Sequence, residues 1–314
     1  MISIVAPVFN EAESLRQFHA EVSGVLLAMA APYEIIYVDD GSTDGSADIL
    51  MALAQQHPHT HALILRRNYG QTAAFSAGIA HARGDVIVTI DADNQNDPAD
   101  IPALLAELNK GYDVVSGWRY QRQDASLSRK LPSRIANWAI GAVTGVKLHD
   151  YGCSLKAYDA PLLRQVRLYG ELHRFIPALC FWHGARVTEA KVNHRPRTKG
   201  TSKYGIGRTL RVLLDLLLVK YLISYVTRPI QLFGTVGLAS TVLGTLLCAY
   251  LAVDRLCFQH PLSNRPLLLL GVLFILLGVQ FVALGLMCEM ISRVYYESQN
   301  RLPYSIRKTY RASS

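Results

Sequence analysis

Short apolar runs alternate with longer segments of helical spacing through the first 120 or so residues of this 314-residue chain. The runs are rich in Val and Ile and almost continuous, which is typical of strands buried on both faces. Alternation with helices predicts βαβ units and a mainly parallel sheet flanked by helices. The predicted strands are 2–6, 34–38, 62–65, 86–90 and 114–115, and the predicted helices are 11–29, 44–56, 71–82 and 98–110.

The pattern is less regular between 130 and 205, where we expect a helix near 133–145 and mixed shorter elements. Leucines then recur at spacings of three and four through 206–225, interrupted by Arg208, Arg211 and Lys220. This pattern predicts an amphipathic helix at a membrane surface, and a core helix is the alternative.

Two uncharged apolar runs follow, at 229–253 and 267–288. Each exceeds the roughly 20 residues that a helix needs to span a bilayer. Two spans with a short connection predict a transmembrane hairpin whose ends lie on one side of the membrane. A buried hairpin in a soluble protein is the alternative.

The charged residues around this hairpin predict its orientation. The connecting segment holds Arg255 and Arg265, whereas the outer flanks are more basic, which favours a cytoplasmic location for both flanks. We therefore expect a multi-pass protein of the cytoplasmic (inner) membrane with four parts. These are a catalytic domain at 1–205 and an interfacial region at 206–228, then the hairpin at 229–288 and a tail at 289–314, with the first and last parts cytoplasmic.

Composition narrows the remaining options. The net charge of +8 suits anionic partners, and the absence of a nucleic-acid recognition motif argues against nucleic acid. The five cysteines form no CxxC pair, so neither a disulfide framework nor a zinc site is indicated. The N-terminus starts with a strand pattern, and no signal peptide is predicted.

The strongest chemical signal is Asp91-Ala92-Asp93-Asn94-Gln95, at the end of the fourth predicted strand. Ligands of open α/β sheets bind beyond the carboxyl ends of strands. Carboxylates two residues apart at such an edge repel each other unless a cation lies nearby. Hard oxygen ligands with open positions suit Mg²⁺ or Mn²⁺ bridged to substrate phosphates.

Two other predicted strands end in polar residues that we expect at the same edge. Asp39 and Asp40 follow the second strand and can accept hydrogen bonds from a ribose or a base. Phe9 follows the first strand and could lie against a base, or it could be a core aromatic. Neither a Gly-x-Gly-x-x-Gly nor a Walker A motif is present, which argues against dinucleotide oxidoreductases and P-loop NTPases.

These motifs resemble those of the family 2 glycosyltransferases with the GT-A fold, in particular the polyprenyl-phosphate glycosyltransferases. The 91–98 motif is similar to the DADLQ-type motif of that group, which includes dolichyl-phosphate mannosyltransferase, bactoprenol glucosyltransferase and the undecaprenyl-phosphate aminoarabinose-type transferases. The 150–158 segment resembles the last of these most. Leu is usual where Asn94 stands, and this departure bears on donor preference. The other resembling segments are 7–11, 39–42 and 67–71.

The resemblance implies a role for particular residues. Asp91, Asp93 and Gln95 correspond to metal-holding positions. The positions that contact the nucleotide sugar in the family are matched here by Pro7, Phe9, Glu11, Asp39, Asp40, Gly70, Arg197 and Lys203. The lipid phosphate would be received by Arg119, Arg129 and Ser133, and the catalytic group comprises Asp91, Asp93, Arg119 and Arg129.

The function implied is transfer of a sugar from a UDP- or GDP-linked donor to a polyprenyl (undecaprenyl or dolichyl) phosphate, by one in-line displacement with inversion. The expected product is a lipid-linked monophosphate sugar for envelope glycan modification. The expected partners are the donor, the lipid phosphate and membrane lipids, and a homo-oligomer is an open option. The alternatives are a membrane glycosyltransferase with another acceptor, as in polysaccharide synthesis, and an inactive nucleotide-sugar-binding membrane scaffold.

Overall fold

The computed structural model describes residues 1–120, 137, 140–142, 144–168, 172–195, 229–259, 265–298 and 306–310. The chain divides into two compact units. Unit 1 comprises Met1–Val219 and Leu302–Ser314, and unit 2 comprises Lys220–Arg301. The domain boundaries expected near 205 and 228 lie outside the described residues.

Unit 1 contains a sheet and the helices that cover it. Its strands are β1 (Ile2–Val8), β2 (Tyr33–Asp39), β3 (Thr60–Leu65), β4 (Val86–Thr89), β5 (Val114–Arg119), β6 (Lys156–Asp159), β7 (Val187–Val192) and β8 (Ile306–Tyr310). Its helices are α1 (Leu15–Ala28), α2 (Ser46–Gln56), α3 (Gln71–His81), α4 (Ile101–Asn109), α5 (Ala160–Leu163) and α6 (Ile176–Trp182), with 3-10 turns at Pro98–Asp100 and Leu172–Phe175.

The strand order in the described part of this sheet is β7-β5-β6-β4-β1-β2-β3-β8. Strands β1 to β4 pair in parallel, as do β5 and β7, which confirms the mainly parallel sheet. Strand β6 lies antiparallel between β4 and β5, and β8 pairs antiparallel with the edge strand β3. The sequence pattern missed β8 because its Ile-Arg-Lys-Thr-Tyr run is basic and lies within the expected tail.

The core lies against β1 and β2, where six of the seven residues of each strand are buried. Helix α1 adds Phe18, Val22 and Leu26 to the same cluster. Each such side chain contributes about 1.5–3 kcal/mol when it leaves water. Burial on both faces explains why these strands have continuous apolar runs.

Most predicted elements of unit 1 are present with shifted ends. The helix expected from residue 11 begins at Leu15, and β5 continues to Arg119. The helix expected at 98–110 is split, because Asp97 Oδ1 accepts from Ala99 N at 3.0 Å and caps a 3-10 turn before α4. Residues 137, 140–142 and 144 are helical, within the helix expected near 133–145, whereas 206–225 lies outside the described residues.

Unit 2 consists, in its described part, of α7 (Pro229–Phe258) and α8 (Pro266–Ser298). Both helices run beyond the expected spans, and the stretches Phe233–Phe258 and Pro266–Cys288 are long and apolar enough to cross a membrane. Only 17% and 11% of their apolar windows are buried within the protein, which fits lipid-facing helices better than the core of a soluble protein.

The two helices of unit 2 approach each other at glycines. A Cβ added to Gly237 would lie 2.6 Å from Gly278 O, and one added to Gly244 would lie 2.5 Å from Gly271 O. Ser240 Oγ also donates to Phe274 O at 2.8 Å. Small residues and interhelical hydrogen bonds are what hold helices together in lipid.

Candidate active site

Four loops leave the carboxyl ends of the parallel strands at one edge of the sheet. Because β3, β2, β1 and β4 are neighbours in this order, their following residues lie side by side. The loops are 9–14 after β1, 40–45 after β2, 66–70 after β3 and 90–97 after β4.

The first two loops are joined by hydrogen bonds. Asn10 N donates to Ser42 Oγ at 2.9 Å, and Thr43 N donates to Asn10 Oδ1 at 2.8 Å. Ala12 N donates to Asp44 Oδ2 at 2.9 Å. Asn10 has a φ of 56°, a left-handed conformation that asparagine tolerates better than most residues. These hydrogen bonds hold the loop that carries Phe9 against residues 42–44 of the second loop.

The two acidic residues after β2 have different surroundings. Asp40 accepts from Tyr69 N at 2.7 Å and from Gly70 N at 2.9 Å, so its carboxylate ties this loop to the start of α3. Asp39 accepts from Ser42 N, while its Oδ1 is buried without a hydrogen bond. Burial raises the pKa of both carboxyls, although amide donors oppose the rise. Their nucleotide-binding roles stay predictions.

A glycine allows the second and third loops to meet. Gly41 has a φ of 72°, and a Cβ placed on it would lie 2.5 Å from the carbonyl carbon of Arg67. The backbones of the two loops therefore touch where any side chain would intrude. Gly70 also has a positive φ, 93°, at the residue before α3. These glycines hold the loops that carry Asp39, Asp40 and Gly70 in register.

Asp91 and Asp93 lie at the end of β4, where both are half-buried. Asp91 Oδ1 accepts from Gln71 Nε2 at 2.7 Å, and Asp93 Oδ1 accepts from Gln95 N at 3.1 Å. Burial, and then the negative charge of Asp93, raise the pKa of Asp91 to about 7. Asn94 between them has a φ of 60°, so this loop also uses an asparagine for its left-handed residue.

This pair fits a divalent cation of a particular kind. A carboxylate whose pKa is raised partly by a neighbouring carboxylate marks a site whose negative charge a cation would neutralise. Among the described residues no group of three or more His, Cys, Asp or Glu could hold a metal ion, so a complete cage of such ligands is not present there. Mg²⁺ and related ions accept one or two carboxylates and complete their shell with water and substrate phosphates.

Arg119 at the end of β5 is held by Asp150. Its Nε and Nη2 donate to the two carboxylate oxygens at 2.6 and 2.9 Å, the bidentate geometry that fixes a guanidinium most firmly. The charge of Arg119 is close enough to lower the pKa of Asp91, so the structure brings these two predicted site residues together. The other basic and acceptor-site predictions, Arg129, Ser133, Arg197 and Lys203, lie outside the described residues.

A pocket beside Asp91 was not predicted. It contains Lys156 of β6, which is 3% exposed and donates to Tyr151 O at 3.2 Å. Burial lowers the pKa of Lys156 to about 8. A signal was present, since Lys156 stands between Leu155 and Ala157 in an otherwise apolar run. The pocket is lined by Gln71, Phe75, Thr89, Asp91, Tyr151, Gly152, Cys153, Ser154, Lys156, Tyr158, His173, Arg174 and Ile176.

The segment after β7 runs along the loop that carries Asp93. Arg195 N donates to Gln95 O at 2.8 Å, and the backbone of His194 forms an isolated antiparallel β-bridge with that of Asn96. The Arg195 guanidinium pairs with Asp97 at 2.8 Å and with Glu21 at 2.5 Å. Arg195, the last described residue before the segment that contains Arg197 and Lys203, therefore lies beside the expected metal site.

Comparisons with known proteins show both the family and the fold of this chain. The family model for "Glycosyl transferase family 2" matches residues 3–167. Dodecaprenyl-phosphate galacturonate synthase of Rhizobium johnstonii is 43% identical over 98% of this chain and 93% of its own length. Undecaprenyl-phosphate 4-deoxy-4-formamido-L-arabinose transferase of Pseudomonas fluorescens is 40% identical over 99% of this chain and 90% of its own length.

Solved structures give the fold. Glucosyl-3-phosphoglycerate synthase of Mycobacterium tuberculosis aligns with a TM-score of 0.55 at 20% identity, over 70% of this chain and 78% of that one. Mannosyl-3-phosphoglycerate synthase of Rubrobacter xylanophilus aligns with a TM-score of 0.54 at 16% identity, over 70% and 74%. The resemblance noted from the motifs and the GT-A fold are thus confirmed, and the chain belongs to glycosyl transferase family 2.

Proposed function

We propose that this protein transfers a sugar from a nucleoside-diphosphate sugar to a polyprenyl phosphate, with inversion at the anomeric carbon. The observation that carries the proposal is the Asp91–Asp93 pair beside Arg119, in a chain that also holds two membrane-length helices. The full-length relatives, named for dodecaprenyl- and undecaprenyl-phosphate products, support a lipid phosphate as the acceptor.

The reaction needs little general-base catalysis from the enzyme. A phosphate monoester has a second pKa near 6, so the acceptor oxygen is largely deprotonated at pH 7. Its oxygen attacks the anomeric carbon, and the bond to the nucleoside diphosphate breaks with the electron pair leaving on the diphosphate. The protein must instead hold two anions together in line, which positioned cationic groups achieve.

Named residues divide this task. Asp91, Asp93 and Gln95 would hold Mg²⁺ or Mn²⁺, which supplies positive charge to the departing diphosphate. Arg119, aligned by Asp150, would act with Arg129 and Ser133 on the acceptor phosphate. Pro7, Phe9, Glu11, Asp39, Asp40 and Gly70 would contact the nucleotide sugar, with Arg197 and Lys203 on its diphosphate.

The hairpin follows from the physical chemistry of the acceptor. Withdrawing a prenyl chain from the bilayer would cost about 0.8 kcal/mol for each CH₂ group exposed. The enzyme is therefore anchored where its acceptor resides. We place both flanks of the hairpin in the cytoplasm at the inner membrane, in keeping with the basic residues around it, and the hairpin could also join copies of the chain.

The test uses purified protein in nanodiscs with undecaprenyl phosphate, Mn²⁺ or Mg²⁺, and a panel of UDP- and GDP-sugars. We expect a lipid-linked monophosphate sugar from at least one donor, and its loss in Asp93→Asn. A control variant, Asp48→Asn on α2, removes a carboxylate outside the candidate site and should keep full activity. Labelling of a water-soluble glycan in place of the lipid would contradict the proposal.

A further inference from the structure

The pocket beside Asp91 contains more positive charge than a neutral sugar requires. Lys156 and Arg174 both line it, and Asp91 is its one acidic lining residue. Hydroxyl groups are recognised well by neutral donors and acceptors and by carboxylates. Two cationic side chains in such a pocket instead point to an anionic group in the ligand.

Lys156 is costly to bury. It is 3% exposed, and the one hydrogen bond found for its ammonium is to Tyr151 O at 3.2 Å. An ammonium can donate three hydrogen bonds, and burial without partners is unfavourable. A ligand oxygen in the pocket would complete its shell.

Arg174 and Tyr158 present further donors to the same space. Arg174 is half-buried and makes no hydrogen bond or ion pair with any described residue. The Tyr158 side chain is fully buried, and its hydroxyl, although near Thr89, makes no hydrogen bond of good geometry. Thr89 uses its own hydroxyl to donate to Ser154 O at 2.7 Å.

The remaining wall suits a sugar ring. His173 shares a hydrogen bond with Thr72 at 2.8 Å and stacks on Phe75 with ring centroids 6.3 Å apart. These aromatic rings line the same pocket as the polar groups, and such a mixture fixes a small ligand's orientation. Asp91 belongs both to the pocket and to the expected metal site, so a sugar attached to a diphosphate bound there would lie close to this space.

We infer that the donor's sugar carries a carboxylate, as a hexuronic acid does, and that Arg174 and Lys156 bind it. The inference rests on the proposed function, because it takes the pocket to be the donor's sugar subsite. Arg174 offers a bidentate grip and Lys156 a point charge, and both would be satisfied by the same carboxylate.

The test compares sugars matched in stereochemistry that differ only in oxidation at C6. UDP-galactose is paired with UDP-galacturonate, UDP-glucose with UDP-glucuronate, and GDP-mannose with GDP-mannuronate. Full-length protein in nanodiscs is assayed for kcat/KM of transfer to undecaprenyl phosphate, and donor binding is measured by calorimetry with Mn²⁺. We expect one uronate to exceed its neutral partner by about 10- to 100-fold, the range of a charge-assisted hydrogen bond.

Arg174→Gln is the decisive variant, because Arg174 makes no hydrogen bond or ion pair with any described residue and its loss should not impair folding. It should lower kcat/KM for the uronate by about tenfold or more and change the neutral partner by less than threefold. Arg174→Lys should recover part of the loss. Arg83→Gln, at the opposite edge of the sheet, is the control, and Lys156→Met is added with its melting temperature recorded.

The outcomes separate the two proposals. Equal losses for both members of a pair would mean that Arg174 holds the diphosphate, and a raised KM for undecaprenyl phosphate would assign it to the acceptor. Either result overturns the inference and leaves the proposed function standing. If lipid transfer is absent but a uronate donor binds selectively and Arg174→Gln abolishes that selectivity, the acceptor is wrong and the pocket assignment holds. A preference for every neutral partner overturns the inference.

Discussion

The two edges of the sheet in unit 1 contain carboxylates whose pKa values are shifted in opposite directions. At the amino end, Glu34 Oε1 accepts from Ser3 Oγ and from Arg83 N, both at 2.6 Å, and His61 lies 3.5 Å from Oε2. Burial alone would raise the pKa of Glu34, but these hydrogen bonds outweigh it and lower the pKa to about 2.

At the carboxyl end, Asp91 lies beside a second carboxylate, and its pKa is raised to about 7. The difference shows that burial does not decide whether a carboxylate is structural. Glu34 is surrounded by donors and is complete within the protein. Asp91 lies beside Asp93, and under the proposed function a bound cation would supply the positive charge that this pair lacks.

The largest effect on activity is expected at the carboxyl edge of the sheet, where Asp91 and Asp93 lie. Asp93→Asn should lower kcat for sugar transfer by about 10³-fold or more, since a metal contributes several kcal/mol of charge stabilisation. The melting temperature should stay the same or rise, because a repulsion on Asp91 is removed. Steady-state kinetics with saturating donor and thermal melts measure both quantities. A variant that loses stability and activity together would make Asp93 structural, like Glu34.

The glycine between the loops gives the next largest effect. Gly41→Ala should lower the free energy of unfolding of unit 1 by about 2–4 kcal/mol, since its Cβ would meet the Arg67 backbone. Gly45→Ala is the matched control, with a φ of 89° but open space around it, and should cost about 1 kcal/mol. Denaturant titration in detergent measures both. Equal losses would show that backbone conformation, and not the loop contact, matters at Gly41.

Glu34 should make stability depend on pH. Its pKa is lowered from 4.5 to about 2 in the folded protein. The stabilisation is therefore fully present above about pH 4.5 and is lost as the pH falls towards 2. Glu34→Gln should cost about 2 kcal/mol at pH 7 and progressively less below pH 4.5. Melts from pH 7 to pH 3 test this, and a constant difference across the series would contradict it.

The hairpin should show the smallest effect, and one that is independent of pH. Gly244→Ala places a Cβ 2.5 Å from Gly271 O and should weaken the α7–α8 contact by about 1–2 kcal/mol. Gly24→Ala on α1, with no atom near its Cβ, is the control and should be neutral or stabilising. Thermal melts in one detergent at pH 5 and pH 8 compare them. Unaltered stability of Gly244→Ala would place the two helices farther apart.

Much of the fold was predictable because strands buried on both faces leave continuous apolar runs. Strands β1 to β5 contain such runs, and helices α1 to α4 were recognised from their helical spacing between them. Strand β8 did not, since Arg307 and Lys308 resemble a basic membrane flank and its pairing with β3 is long-range. Strand β6 was hidden by its shortness and by Lys156 within it.

The site was predictable where the chemistry lies in one segment. The spacing of Asp91 and Asp93 at a strand end indicated a metal site. Three loops could also be placed at the same edge from the alternation of strands and helices. The pocket could not, because Gln71, Lys156 and Arg174 come from distant segments and meet only in the folded chain. The pairing of Arg119 with Asp150 was likewise invisible, as nothing in the sequence links residues 31 positions apart.

The most direct measurement of the central claim is the Mn²⁺ dependence of sugar transfer to undecaprenyl phosphate, after removal of metal with EDTA. Wild-type protein and Glu34→Gln should both give saturable, Mn²⁺-dependent formation of the lipid-linked sugar, and Asp93→Asn should give none at any Mn²⁺ concentration tested. Transfer by wild type that continues undiminished in EDTA, or by Asp93→Asn at the wild-type rate, would contradict the assignment of this edge as a metal-dependent transferase site.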